Sequence, residues 1–183
     1  MDFIREITLQ NGDATFTSFT VRTFQESDFG LCDGFCKYEG GEGLIYPPEL
    51  WESNDSFRRR LEQFPEGCMA VVNPSSELVA YSFSHPWNKN SIVPLNCVDL
   101  VIPEDADCYY LHDLAVIPAY RRRGIAQVLL HLALGIARRH GFKLVKGVAV
   151  QNSHKHWEKC GFKVGEEITY GTVPGRIITI QLD

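Results

Sequence analysis

The stretch from Tyr109 to His140 constrains this chain more than any other. Tyr109 to Ile117 reads as a buried strand, and Pro118 stops it. A basic turn follows, Arg121-Arg122-Arg123, and Gly124 opens an apolar helix that runs to His140. Ile125, Val128, Leu129, Leu132 and Ile136 follow helical spacing, with Gln127, His131 and Arg138 as a narrow polar stripe. A helix this apolar must be covered on most sides, and Gly141 suits its C-terminal end. Leu144 to Val150 is then a second buried strand. Strand, long helix, strand is a β-α-β unit, and it places two strands in one sheet with a crossover between them.

The remaining segments supply further strands and helices. Ser18 to Phe24 alternates as a strand, and Ser27 or Asp28 caps a helix expected to run to about Tyr38. Gly40, Gly41 and Gly43 break the chain, Pro47-Pro48 stiffens it, and a second helix is expected from Glu49 to Phe64. Cys68 to Val72 and Leu78 to Phe83 form a hairpin around Asn73-Pro74-Ser75-Ser76. A long connection from His85 to Asp107 follows, a length often tied to function. A short helix from Ser153 to Lys159 precedes two closing strands, whose hairpin is split by Gly171 and by Pro174-Gly175. No linker divides the chain, so 1–183 is read as one domain, with 1–17 as an extension or an extra strand. The expected class is α+β, a mixed sheet flanked by helices.

Composition excludes several classes. A net charge of -5 argues against a broad nucleic-acid footprint, and a mild acidic excess suits a cationic substrate. The six cysteines form no CxxC pair and read as free thiols. Cys32 and Cys36 could share a helix face, but no second ligand pair follows, so no metal is expected. Val128 to Ala137 is too short to span a bilayer, and the first residues lack an apolar signal core. The expectation is a cytoplasmic protein without membrane attachment, a monomer or homodimer.

The basic turn carries the chemistry. Backbone N–H groups at a helix start are unpaired and, with the positive end of the dipole, attract anions. Gly124 and Ala126 let a phosphate approach the backbone, and Arg121, Arg122 and Arg123 add charge. This describes a pyrophosphate cradle; the alternative is a surface arginine run or polyanion patch.

Arg121-x-x-Gly124-x-Ala126, after a strand ending Val116-x-Pro118, resembles the acetyl-CoA pyrophosphate motif of the GNAT superfamily. Asn152 and the segment Trp157-Glu158-Lys159-Cys160-Gly161-Phe162 resemble that superfamily's next element, so the likeness covers Tyr109 to Val164. The resemblance implies a GNAT acyl-CoA N-acyltransferase fold: one central, mostly antiparallel sheet whose central strands splay apart and admit pantetheine. It implies that Leu114, Ala115 and Val116 pair with pantetheine, and that an N–H near Leu114 holds the thioester carbonyl. It assigns the pyrophosphate to Arg121, Arg122, Arg123, Gly124, Ile125 and Ala126, and places Asn152 and Trp157 near the pantetheine. Within the superfamily, Tyr110-Leu111-His112-Asp113-Leu114-Ala115-Val116 is similar to a strand of arylalkylamine (serotonin-type) N-acetyltransferases. The stretches at Tyr46, His85, Tyr110 and Val148 resemble a group of bacterial and fungal relatives of those enzymes.

An aliphatic amine with a pKa near ~10.4 is mostly protonated at neutral pH, so attack on a thioester needs a proton acceptor. His112, on the strand flanking the thioester, matches a proposed histidine base; the competing reading is a core histidine bonded to a backbone group or Asp113. The tyrosine acid of the superfamily is replaced by Trp157, whose indole does not give up its proton. Tyr110, Tyr170, Cys160 or water are the alternatives. The acceptor pocket is expected to draw on Tyr46, Glu49 and Trp51, near Glu52, and on His85 and Trp87; aromatics beside carboxylates suit an ammonium group. The competing reading for Glu49 and Glu52 is an ordinary helix start. The expected activity is acetyl transfer from acetyl-CoA to a small primary amine in a ternary complex. The rivals are a peptide or protein N-acetyltransferase and a non-catalytic acyl-CoA sensor.

Overall fold

The computed structural model describes residues 4–10, 15–30 and 45–183. One eight-stranded sheet runs through it: β1 (Ile4–Gln10), β2 (Phe16–Thr23), β3 (Cys68–Val72), β4 (Leu78–Trp87), β5 (Cys108–Val116), β6 (Leu144–Val150), β7 (Lys163–Tyr170) and β8 (Val173–Gln181). The strand order is β1-β2-β3-β4-β5-β6-β8-β7. Every neighbouring pair is antiparallel except β5 and β6. That parallel pair is the one joined by the long helix, as a crossover requires.

Among the described residues the sheet is flanked by α1 (Asn54–Gln63), α2 (Ile125–Arg139) and α3 (His154–Lys159). α1 lies on β4, α2 on β4 and β5, and α3 on β6, β7 and β8. In α2, Ile125, Leu129, Leu130, Ala133, Ile136 and Ala137 are buried, while Gln127, His131 and Arg138 stay exposed, so the polar stripe faces out. The fully buried β3 and the inner part of β4 anchor the main core.

Several boundaries differ from the sequence reading. Residues 4–10 form a full strand paired with β2, so the start of the chain adds a strand. The helix expected from Glu49 starts at Asn54, because Pro47 and Pro48 favour a single 3-10 turn over Pro48–Leu50 and Ser53 then caps α1. The helix expected from Ser27 to Tyr38 falls largely outside the described residues, as do Cys32 and Cys36; the turn Glu26–Asp28 and the helical residues Phe29 and Gly30 are seen. β4 continues past Phe83 to Trp87, so His85, Pro86 and Trp87 are strand residues. The closing hairpin turns at Gly171 and Thr172, between the paired Tyr170 and Val173; Pro174 and Gly175 belong to β8.

The connection from 88 to 107 is tied down. Lys146 Nζ donates to the carbonyls of Lys89 and Ser91 at 2.8 and 3.0 Å, and Arg59 Nε donates to the Leu100 carbonyl at 2.7 Å. Beneath it Val93, Leu100 and Tyr110 make a second small core.

The sheet opens at one place. β5 and β6 pair only from Tyr109 to Leu111, opposite Val145 to Gly147. Beyond that point β5 continues to Val116 on β4 alone, and β6 continues to Val150 on β8 alone. Gly147 sits at the vertex: a Cβ there would lie 2.8 Å from the Leu111 carbonyl oxygen.

Candidate active site

The gap between β5 and β6 leads into a cavity of ≈ 690 Å³. Its walls include Leu114, Ala115 and Val116 of β5, Val148 and Val150 of β6, and the turn that starts α2. Past Leu111 the β6-facing edge of β5 has no ladder partner, so its alternate N–H and C=O groups are available to whatever enters. One apolar channel with an open strand edge thus ends at a basic turn.

That turn has an unusual backbone. Arg122 has φ 61 and Gly124 φ 86, the second as the residue capping α2. Only glycine adopts such a conformation without strain, and a Cβ at Gly124 would meet nothing nearer than Leu9 at 3.9 Å. The constraint at Gly124 is therefore conformational. No side chain caps the first turn of α2, so its N–H groups remain for an anion. Arg121 and Arg122 line the cavity, and Arg121 Nε holds the Val116 carbonyl at 3.0 Å. Arg123 turns away, donating to the Ala119 carbonyl and lying 4.9 Å from the Tyr120 ring centroid. Gly124, Ile125 and Ala126 are on the wall. This donor set, with an apolar channel behind it, fits a pyrophosphate joined to a long flexible arm.

His112 occupies a special position in β5. In the ladder with β4, Phe83 faces Asp113 and Ser84 faces Leu111, so His112 is one residue more than the pairing needs. Such a bulge re-aims side chains. His112 and Asp113 both reach the segment before α1. His112 Nε2 lies 2.6 Å from Glu52 Oε2, and Tyr46 donates its hydroxyl to Asp113 Oδ1 at 2.5 Å. Tyr81 donates to the other Asp113 oxygen at 2.9 Å.

The His112 imidazole is buried on both sides. Its Nδ1 lies 3.3 Å from Arg60 Nη2, and Arg60 also approaches Glu52 at 3.6 Å. A guanidinium only donates and an ionised carboxylate only accepts. The contacts therefore make Nε2 the donor and Nδ1 the acceptor. Burial alone would raise the Glu52 carboxyl, but His112, Arg60 and Ser56 outweigh it and hold it at about 2. Burial pushes the Asp113 carboxyl up, against the two phenols. Burial likewise pushes the Tyr170 phenol, on the cavity wall, well above its ordinary range.

The sequence-predicted residues divide. Tyr46, His112, Leu114, Ala115, Val116, Arg121, Arg122, Gly124, Ile125, Ala126 and Trp157 come together on one cavity. Trp157 is half-buried edge-on to Phe162, ring centroids 5.2 Å apart. Asn152 is exposed and off the wall, where Gln151, Ser153 and His156 stand instead, because Gln151 and Asn152 both take positive φ (52 and 58) and turn the chain. Tyr110 is buried behind the cavity, against Val93 and Leu100. His85 and Trp87 are not on the wall: His85 is fully buried, stacked on Tyr110 at 5.9 Å, because β4 runs through it. Glu49 is exposed and also off the wall, and Trp51 braces the loop by donating from Nε1 to the Tyr46 carbonyl at 2.9 Å. Sequence reasoning passed over Asp113 as a wall residue, and over Gln127 and Leu95. The Asp beside His112 was the available signal.

A family model, the acetyltransferase (GNAT) family, matches residues 38–162. The chain belongs to the GNAT acetyltransferase family. Solved structures agree on the fold. The loading GNATL domain of CurA from Lyngbya majuscula superposes with TM-score 0.74 at 14% identity, covering 89% of this chain and 97% of that one. A GNAT-like decarboxylase, GphF, in complex with isobutyryl-CoA gives 0.71 at 18% identity, covering 89% and 99%. A putative arylalkylamine N-acetyltransferase 7 from the yellow fever mosquito gives 0.65 at 14% identity, covering 100% and 96%. No curated protein sequence matches. The GNAT fold expected from the two motifs is thus the fold observed, with its open pair at β5 and β6. No helix among the described residues is long and apolar enough to cross a membrane.

Proposed function

We propose that this GNAT protein binds acetyl-CoA in the gap between β5 and β6 and transfers the acetyl group to the primary amine of a small molecule. The observation that carries this reading is the ladder that stops at Leu111 and Gly147 and opens into a cavity ending at the uncapped start of α2. Acetyl-CoA supplies the activated acyl carbon. The chain supplies position: Arg121, Arg122 and the first N–H groups of α2 hold the pyrophosphate, and the open edge of β5 from Leu114 to Val116 lines up the arm.

In the transfer, the amine nitrogen bonds to the thioester carbon, the C–S bond breaks, and the amine loses a proton. His112 with Glu52 behind it is the proton acceptor of this reading. Its basic atom is Nδ1, which now faces Arg60. Uptake of a proton there displaces the guanidinium contact or runs through water, so the base is less direct than a free imidazole. Tyr170 keeps its hydroxyl proton and donates a hydrogen bond to the departing thiolate. Tyr110, behind the cavity, is a poorer candidate for that part.

Release of CoA thiol from acetyl-CoA across arylalkylamines, polyamines, aminoglycosides and short peptides tests the reading. Turnover with a small amine supports it, turnover only with peptides moves the acceptor to a polypeptide, and tight acetyl-CoA binding without turnover supports a sensor. His112→Ala is expected to lower turnover and leave acetyl-CoA affinity nearly intact.

A further inference from the structure

Four chargeable side chains meet behind the bulge of β5: Glu52, Arg60, His112 and Asp113. Glu52 has a cation beside it and Asp113 does not. Glu52 and Arg60 form a buried pair at 3.6 Å, and His112 bridges them, with Nδ1 3.3 Å from Arg60 and Nε2 2.6 Å from Glu52. Among the described residues, Asp113 accepts from the phenols of Tyr46 and Tyr81 and has no cation within ion-pair distance. A buried carboxylate without a cation is costly, and phenols offset only part of that cost. Burial accordingly pushes this carboxyl up.

The phenols do something specific, however. One binds each oxygen and fixes the plane of the carboxylate, while each oxygen keeps a further lone pair. Asp113 is on the cavity wall, one residue before the Leu114 backbone that borders the open edge of β5. His112, Glu52 and Tyr170 face the same space.

We propose that Asp113 is the anchor for the cationic nitrogen of the acceptor, held in orientation by Tyr46 and Tyr81, and that it selects ammonium-bearing acceptors over neutral or acidic ones. The proposal rests on the acceptor reading above and adds the residue that enforces it. An incoming ammonium supplies the missing positive charge and up to three donors. An alcohol leaves the carboxylate uncompensated, and an acid adds a second negative charge beside it. Asp113 is a specificity-determining residue here; its proton chemistry is not required.

The test uses the full chain with 2-phenylethylamine, spermidine and a short peptide amide as acceptors, each with acetyl-CoA. For the best acceptor, Asp113→Asn is expected to raise KM by about 30-fold or more, the scale of losing one partner of a buried charge pair. kcat and the acetyl-CoA affinity, read by calorimetry, stay near wild type, which also shows that the variant is folded. Tyr46→Phe, which frees one oxygen, gives a smaller rise in KM. A KM for Asp113→Asn close to that of wild type overturns the proposal.

If wild type releases no CoA with any acceptor, the acceptor reading fails, and the anchor is read from equilibrium binding to the CoA-saturated protein. Stronger binding of 2-phenylethylamine than of 2-phenylethanol, lost in Asp113→Asn, supports the anchor. Equal binding of the two, or no binding of either, overturns it.

Discussion

Glu52 Oε2 sits 2.6 Å from Nε2 of His112, although sixty residues separate them, and both side chains are almost fully enclosed. Glu52 Oε1 meanwhile accepts from the Ser56 hydroxyl and the Asn96 backbone N–H, each at 2.8 Å. One carboxylate therefore joins the loop before α1, the bulge of β5 and the long 88–107 connection.

Removing that charge exposes its partners. Glu52→Gln keeps the volume but leaves Arg60 buried without a counter-ion, and is expected to cost about 3 kcal/mol. Urea unfolding of wild type and variant at pH 7 checks this. The sign with pH follows from the depressed carboxyl at about 2 against its ordinary 4.5. Its stabilisation is complete above 4.5 and is lost as pH falls toward 2. The variant's stability should therefore respond less to acid across that window.

His85 gives an earlier acid response. Burial first of all holds its pKa at about 3, against an ordinary 6.5. The folded chain keeps the imidazole neutral, while the unfolded chain takes up a proton below 6.5. Stability from this group is present above 6.5 and declines as pH falls toward 3. Melting temperature should fall across this range in wild type, and the slope should flatten in His85→Phe; an unchanged slope would assign the acid response elsewhere.

Gly124→Ala forces a side chain into φ 86 without a clash, so the penalty is backbone strain of about 1–2 kcal/mol. Relief of that strain would reshape the start of α2, so acetyl-CoA affinity should fall along with melting temperature. Arg121→Ala should weaken acetyl-CoA binding without the loss of stability, and should flatten its dependence on salt. Calorimetric titrations at two ionic strengths separate the two variants.

Gly147→Ala places a methyl against the Leu111 carbonyl at the vertex of the gap. The contact is with backbone, so the last parallel pair must move, at a cost of about 1–3 kcal/mol. Hydrogen exchange at Tyr109 to Leu111 should accelerate, since these amides lie at the end of the shared ladder.

The second half of the fold was legible because its signals are local. Pro118, Gly124 and the apolar spacing of α2 each act within a few residues, and Leu144 to Val150 was placed to the residue. The errors are tertiary. His85, Pro86 and Trp87 read as a loop by composition, yet β5 pairs with all three through Cys108, Tyr109 and Tyr110, which holds them in β4. The start of α1 slipped from Glu49 to Asn54 because Pro48 permits a first helical turn but does not require the next one. At the site, the motif residues on the basic turn were visible, whereas the Glu52–His112 contact and the exposed placement of Asn152 depend on how distant segments fold together. Asp113 was read only as a neighbour for His112, because sequence spacing puts adjacent strand residues on opposite faces and does not reveal a bulge.

That bulge makes the site depend on chain length. Leu111 and Asp113 keep partners in β4 on either side of His112, so the sheet itself has no use for the additional residue. Deleting it would leave the pairs on either side in register, with the imidazole gone, Glu52 and Arg60 without the group that bridges them, and Asp113 drawn into simple alternation. The proposed transfer would thus be lost while the strand pairing survives, and a single-residue gap at this point in a related chain would mark a different chemistry.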